Sequence, residues 1–295
     1  MTAIFLEGLT KQYGRLTAVA GLSLEVGEGE ILGFLGLNGA GKTTTIRILL
    51  DLLRPTSGRA KIFGHDCQSD GLAARAMVGY LPSELGLYPD LTGRQVLDLM
   101  SKLGPRAVDA KYVGQLQERL SLPDRDLGRK LREYSSGMKR KLGIIQAFQA
   151  DPPLLILDEP TEGLDPLMQE AFYQLLADVQ RRGRTVFFSS HVLSEVERVC
   201  ERVALLRQGE LVLLSTVEEC RRLAARTVRV TFQSNVPAPV GYEIVESGPR
   251  LWVLRVAGPL GPLLRDLAAL PVEDLHVSEA KLEDAVRHFY SGDAQ

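Results

Sequence analysis

The sequence predicts an α/β fold: a core with a mixed sheet, an antiparallel β subdomain at the N-terminus, a helical insertion and a small α+β domain at the C-terminus. Three observations lead to this reading. The apolar run Ile31, Leu32, Phe34, Leu35 reads as a strand entering a glycine-rich loop, and Thr44 to Leu53 as the helix leaving it. From about residue 85 to 150 apolar residues recur at helical spacing, and beyond that stretch short buried strands again alternate with amphipathic helices.

The elements follow in order. AIFLEGL, AVAGLSLEV and, after a GEGE turn, ILGFLG read as successive strands of one antiparallel sheet, the last running into the loop. RAKIFGHD at 59–66 and Val78 to Leu81 read as short strands, the second ending at Pro82. LTGRQVLDLMSKLG and KYVGQLQERLSL are helices separated by polar breaks. PLLILDEP then gives a buried strand, PLMQEAFYQLLADVQRRG a helix, TVFFSSH a strand and VLSEVERVC a helix, and RVALLRQGELVLLS a hairpin over Gln208-Gly209. A Glu- and Arg-rich helix around 216–226 reads as a linker. TVRVTFQ, GYEIVES, LWVLRVAG, a helix near 260–269 and VEDLHVS build the appendage, with KLEDAVRHFY as a closing helix. The expected boundaries are 1–215 for the large domain, its helical subdomain at about 85–150, and 216–295 for the small one.

Composition narrows the classes. A chain of 295 residues holds one large and one small domain, and a net charge of −2 gives no bulk attraction to nucleic acid, so none is expected as a partner. The basic clusters Arg129/Lys130/Arg132, Lys139 to Lys141 and Arg181/Arg182/Arg184 read as solvated faces. Cys67, Cys200 and Cys220 have neither metal-ligand spacing nor the number for a disulfide framework, which points to a reducing cytoplasm. No apolar run reaches the roughly 18 residues that span a bilayer, and MTAIFLEGLTK lacks the features of a signal peptide.

The loop itself carries chemistry. Gly36 to Thr43 fits G-x-x-x-x-G-K-[ST], in which glycines let successive N–H groups converge on phosphate oxygens at the positive end of a helix. Lys42 adds a point charge and is expected to be a surface cation with little packing role. Thr43 offers a hydroxyl to magnesium. These features describe a P-loop nucleoside triphosphatase (NTPase) core that binds a Mg-nucleotide. Asp158 and Glu159 end a buried strand, the edge at which open α/β sheets place ligands. Asp158 is expected to hold magnesium and Glu159 to orient or deprotonate a water that attacks the terminal phosphate, which favours hydrolysis over transfer to a second substrate.

YSSGMKRKLGIIQAF at 134–148 has Ser135 as an N-cap, Gly137 for close backbone approach and an apolar helical face. Followed by LLILDEP, it resembles the signature motif of the ATP-binding cassette (ABC) family, with Y-S-x-G-M-K-R in place of L-S-G-G-Q as in a branch of bacterial drug or lipid exporters. The resemblance runs from about residue 3 to 215. It implies that Tyr13 stacks on adenine, that Asn38, Gly39, Ala40, Gly41, Lys42, Thr43 and Thr44 wrap the phosphates, and that His191 contacts the terminal phosphate. It also implies that Ser135 and Gly137 serve the ATP of a partner subunit, and that Asp165 in EGLDP lies at the dimer contact. Asp165 with Pro166 is also sound helix-start chemistry. Two positions depart from the family. Ser136 replaces the first glycine of the signature pair, and Ser83 stands where a Gln or Glu follows the proline, so the metal-side role falls to Ser83 or Glu84.

The resemblance further implies a machine. A single cassette of this kind clamps ATP against a second one, most simply its own copy, and drives a separate membrane permease from the cytoplasmic face of the cell membrane. Export of a drug, lipid or similar solute is the leading expectation, and a soluble cassette ATPase of translation, DNA repair or cofactor assembly is the alternative. Leu85, Leu87 and Tyr88 are expected to face the permease.

Overall fold

The computed structural model describes residues 1–223, 226–256 and 258–278. The closing segment KLEDAVRHFY, expected to be helical, lies outside the described residues. The chain divides into two compact units, Met1–Leu214 and Ser215–Gln295.

The first unit opens with β1 (Thr2–Tyr13), β2 (Leu16–Gly27), β3 (Ile31–Leu35), α1 (Lys42–Leu49), β4 (Ser57–Ile62), β5 (His65–Asp66), α2 (Gly71–Ala76) and β6 (Val78–Leu81). A helical stretch follows: α3 (Gly93–Leu103), α4 (Ala110–Arg119), α5 (Asp124–Leu127) and α6 (Ser136–Phe148). Then come β7 (Leu154–Asp158), α7 (Pro166–Arg181), β8 (Thr185–Ser190), α8 (Leu193–Val199), β9 (Arg202–Arg207) and β10 (Glu210–Thr216).

Two sheets share one core. The antiparallel sheet has the order β2-β1-β4-β5, and the larger one β10-β9-β3-β8-β7-β6. In the larger sheet β9, β3, β8, β7 and β6 run parallel. β10 folds back on β9 through a turn at Gln208 and Gly209, both at positive φ, which suits a two-residue hairpin. ILGFLG follows directly on alternating strands, which suggests a continuation of the N-terminal antiparallel sheet. β3 instead leaves that sheet, and all five of its residues are buried in the centre of the parallel one. Parallel strands covered on both faces lose polar alternation, and β7 and β8 are likewise buried at every position. Phe34 and Phe187 pack ring to ring at 4.8 Å, in a core that also takes Ile4, Leu6, Val19, Ile46 and Ile156.

The helical stretch is fastened at two places. Gly79 of β6 admits α6 so closely that a Cβ there would lie 2.1 Å from the Ala147 carbonyl oxygen. On the far side, Arg119 of α4 pairs with Asp178 of α7, and Arg182 lies 5.1 Å over the Tyr112 ring while donating to its hydroxyl at 2.8 Å. Thr92 and Gln95 form a capping box on α3, with bonds of 3.2 and 2.8 Å. Within the cluster Arg181/Arg182/Arg184, Arg182 and Arg184 are not free solvated charges, since both pair with Asp151.

The second unit contains α9 (Val217–Leu223), β11 (Arg226–Phe232), β12 (Glu243–Gly248), β13 (Leu251–Val256), α10 (Gly261–Leu267) and β14 (Val272–Val277). Its sheet has the order β12-β13-β11-β14 and is antiparallel throughout. Val228, Val230, Phe232, Trp252 and Leu254 pack with Leu263 and Leu267 of α10 as a separate core. The three cysteines are free and buried. Burial pushes the Cys67 thiol up to about 12 and raises those of Cys200 and Cys220.

The close seating of α6 on β6 predicts that Gly79→Ala destabilises the chain by about 1 to 3 kcal/mol, because the obstructing atom is backbone. Urea unfolding measures it, and an unchanged midpoint would show that α6 has room to move.

Candidate active site

β3 delivers the chain into the loop at Gly36, and α1 begins at Lys42. Gly41 sits at φ 107°, and a Cβ there would lie 2.5 Å from the Ala18 carbonyl oxygen, so both conformation and space require glycine. Gly39, at φ 83°, makes the preceding turn. The first amides of α1 therefore open toward the loop with the positive end of the helix behind them.

Lys42 differs from the expected surface cation. It is 6% exposed, and its Nζ donates to the Gly36 carbonyl at 2.6 Å and lies 3.2 Å from Glu159 Oε1. The loop folds over its own lysine, so the aliphatic stem is packed while the ammonium faces the loop interior.

The end of β7 supplies the carboxylates. Asp158 is wholly buried; its Oδ2 accepts from Thr43 Oγ1 at 3.1 Å and its Oδ1 from Ser189 Oγ at 2.6 Å. Among the described residues no cation pairs with it. A buried carboxylate held by hydroxyls alone, beside a threonine oxygen, is a hard-oxygen donor set suited to magnesium, which takes few protein ligands. Glu159 follows at φ 49°, a left-handed conformation whose cost is on the order of 1 to 3 kcal/mol. That turn swings its carboxylate out of the sheet to meet Lys42 on one side and His191 on the other. His191 Nδ1 lies 2.8 Å from Glu159 Oε2, and its backbone N–H donates to the same oxygen at 3.3 Å. Tyr80 lies nearby on β6, and burial, reinforced by Asp158, pushes its hydroxyl up to about 12.

A cavity of about 450 Å³ gathers most of the expected residues. Tyr13, Asn38, Gly39, Ala40, Gly41, Lys42, Thr43, Thr44, Ser83, Glu159 and His191 all line it. Tyr13 is 47% exposed at the end of β1, free to present a ring face, with Lys11 Nζ 5.2 Å from the ring centre. Ser83 belongs to this lining, whereas Glu84 is exposed and does not.

Ser135, Gly137 and Asp165 stand apart from the cavity. Ser135 caps α6, accepting from the Met138 amide at 3.2 Å, and Asp165 caps α7, accepting from the Met168 amide at 3.0 Å. Gly137 lies against the 161–165 loop, where a Cβ would be 3.2 Å from the Gly163 carbonyl oxygen. The two helix starts thus form one neighbouring surface.

Three residues were not legible as part of the site. Ser189 reads as one more position in a buried strand, yet it holds Asp158. Glu195, 9% exposed, accepts from Thr161 at 2.5 Å and Ser190 at 2.8 Å, tying the two loops that flank the catalytic edge. Arg140 was expected on a solvated face with Lys139 and Lys141. It is 3% exposed and points inward, and burial lowers its guanidinium against the opposing pull of Glu162, Asp158 and Glu159.

The ABC transporter family matches residues 19–162. A daunorubicin resistance ATP-binding protein of Streptomyces coeruleorubidus is 38% identical over 224 residues, covering 75% of this chain and 70% of the relative. A Nod factor export ATP-binding protein of Paraburkholderia xenovorans is 38% identical over 209 residues, covering 70% of this chain and 68% of the relative. Among solved structures, a dimeric ATP-binding cassette in a post-hydrolysis state bound to ADP and Pi superposes with a TM-score of 0.66 at 25% identity, covering 72% of this chain and 98% of that one. The chain belongs to the ABC transporter family, is an ATP-binding cassette and is an ATPase.

Lys42→Ala removes a cation from the loop interior. ATP affinity is expected to fall by about one to two orders of magnitude, the worth of a charge-assisted bond. Titration calorimetry reads the affinity and circular dichroism the fold; wild-type affinity in a folded variant would remove the phosphate-loop assignment.

Proposed function

We propose that this chain is the ATP-hydrolysing subunit of an exporter: two copies sandwich ATP and drive a separate permease at the cytoplasmic face of the cell membrane. The observation that carries the chemistry is the Glu159 carboxylate set between Lys42 Nζ at 3.2 Å and His191 Nδ1 at 2.8 Å, beside the Thr43–Asp158 pair. Terminal phosphate oxygens compete with Glu159 for Lys42, which frees the carboxylate to accept a proton from the attacking water. His191 then holds the terminal phosphate while its Nδ1 orients Glu159. Thr43 and Asp158 would hold magnesium, whose charge neutralises the phosphates. Ser83, which lines the same cavity, would serve the metal side, and Glu84, exposed outside it, is the less favoured candidate.

Ser135 and Gly137 lie outside the cavity that holds the loop, an arrangement that fits service to the ATP of a second copy, with Asp165 at the contact between the copies. ATP binding then closes the pair and hydrolysis opens it, moving whatever is attached. The relatives named for daunorubicin resistance and Nod factor export support an export role over a soluble one in translation, DNA repair or cofactor assembly. Residues 1–215 serve as the nucleotide-binding domain and 216–295 as an accessory domain for regulation or dimer support, because every site residue named above precedes it. No helix among the described residues is long and apolar enough to cross a membrane; in this reading the permease supplies the attachment.

Leu85 and Leu87 line a groove of about 690 Å³ beside α3 and β6, and Tyr88 stands 65% exposed next to them. These are the anchors offered to the permease.

Glu159→Gln keeps the shape and removes the base, so ATP is expected to accumulate uncleaved and hold two chains together. Light scattering under saturating Mg-ATP checks it, and a persistent monomer would count against the sandwich. Tyr88→Ala is expected to leave basal hydrolysis and Tm unchanged, because the ring is exposed, while uncoupling transport in vesicles that carry the permease. A Tm lowered by several degrees with intact coupling would make Tyr88 a packing residue.

A further inference from the structure

We infer that Arg140 is a positioning residue for hydrolysis: its guanidinium ties the backbone that carries Glu159 to the backbone at Pro82 and Ser83, so that the carboxylate is aligned only while α6 and that loop are in register. The inference rests on the reading of Glu159 as the water-activating base.

Arg140 is 3% exposed, and its contacts are unusual in kind. Nε donates to the Pro160 carbonyl at 2.9 Å. Nη1 donates to the carbonyls of Pro82 at 2.7 Å and Ser83 at 3.1 Å, and Nη2 to those of Asp158 at 3.0 Å and Glu159. No carboxylate lies within ion-pair distance of the guanidinium among the described residues, so charge pairing does not account for its burial. The five acceptors are main-chain carbonyls from two segments, and a planar fork with donors on three sides meets both at once.

Among the described residues, no backbone hydrogen bond joins 82–83 to 158–160. β6 and β7 pair in parallel from Val78↔Leu154 to Leu81↔Leu157, where the ladder ends. Beyond it Arg140 continues the connection by side chain, from the carbonyls at 82–83 to those at 158–160. The point it grips is also the strained one. Glu159 stands at φ 49°, and its amide donates to the Ser189 carbonyl at 3.1 Å while its carbonyl accepts from Arg140. A left-handed glutamate persists only where its surroundings over-determine it. Because Arg140 projects from α6, the same side chain makes the helix capped by Ser135 a party to the geometry of the base.

The test uses the full chain with three variants, Arg140→Lys, Arg140→Gln and Glu159→Gln. A lysine keeps the buried cation but offers its donors from one atom, and a glutamine supplies two N–H groups without charge; neither spans both segments. Both arginine variants are expected to bind Mg-ATP within about threefold of wild type and to keep Tm within a few degrees, while kcat falls by about 100-fold, the scale of an ångström-level misplacement. Wild-type kcat in Arg140→Lys would overturn the inference by showing that a cation at this place suffices. A loss of kcat and affinity together, in proportion to the unfolded fraction, in both variants would overturn it in favour of a purely structural role. Glu159→Gln is the control: if that variant keeps turnover, the reading of Glu159 as the base fails independently of Arg140.

Discussion

The site depends on where one buried carboxylate sits in the register of a parallel sheet. Taking Asp158 out of water without a countercharge is costly unless its oxygens are bonded, and only neighbouring chain can supply the partners. Asp158 lies opposite Ser189 across the β7/β8 ladder, and Leu35 lies opposite Ser190 across β3/β8. One row of pairing therefore fixes three events. The phosphate loop starts at Gly36, Glu159 turns out of β7, and His191 emerges from β8, all at the same edge. A slip of one residue in β7 or β8 would turn the Asp158 carboxylate or the Ser189 hydroxyl to the other face of the sheet. The wholly buried apolar strands around this row hold the register, so core packing and catalytic geometry rest on the same contacts.

Around that row the structure spends conformational energy locally and recovers it by crowding. Glu159 adopts a backbone that glutamate rarely takes, and the neighbours that hold it there are a strand carbonyl, a buried guanidinium, a lysine and a histidine. Each of these comes from a different element: β8, α6, α1 and the turn before α8. Loosening any one of them relaxes a glutamate that several parts of the fold constrain in common.

Much of this was legible in the sequence, for stated reasons. The loop from Gly36 to Thr43 and the strand before it are encoded by short-range requirements, a left-handed glycine here and an apolar residue there, and those survive without knowledge of the fold. Asp158 and Glu159 were legible because a run of buried strand residues ends in two acids. Arg140 was not, because its flanking lysines give the local pattern of a solvated face, and only the third dimension shows that its side chain meets carbonyls from residues 82–83 and 158–160. Ser189 and Glu195 escaped for a similar reason, being ordinary polar residues whose partners are distant in sequence. The strand at 31–35 was misplaced in the antiparallel sheet because its neighbours alternate, although its own residues are apolar throughout. Ser83 and Glu84 are neighbours that the sequence does not separate, because the backbone direction after β6, which puts Ser83 in the cavity and Glu84 in solvent, is written in neither residue.

The three cysteines carry a practical consequence. Attack on a maleimide or a disulfide requires the thiolate, and burial holds Cys67, Cys200 and Cys220 as closed-off thiols. The native chain is thus nearly silent toward thiol reagents at neutral pH. A cysteine introduced at an exposed position such as Leu167, 72% exposed at the start of α7, would carry a spectroscopic label alone, without first stripping the background sulfur from the protein.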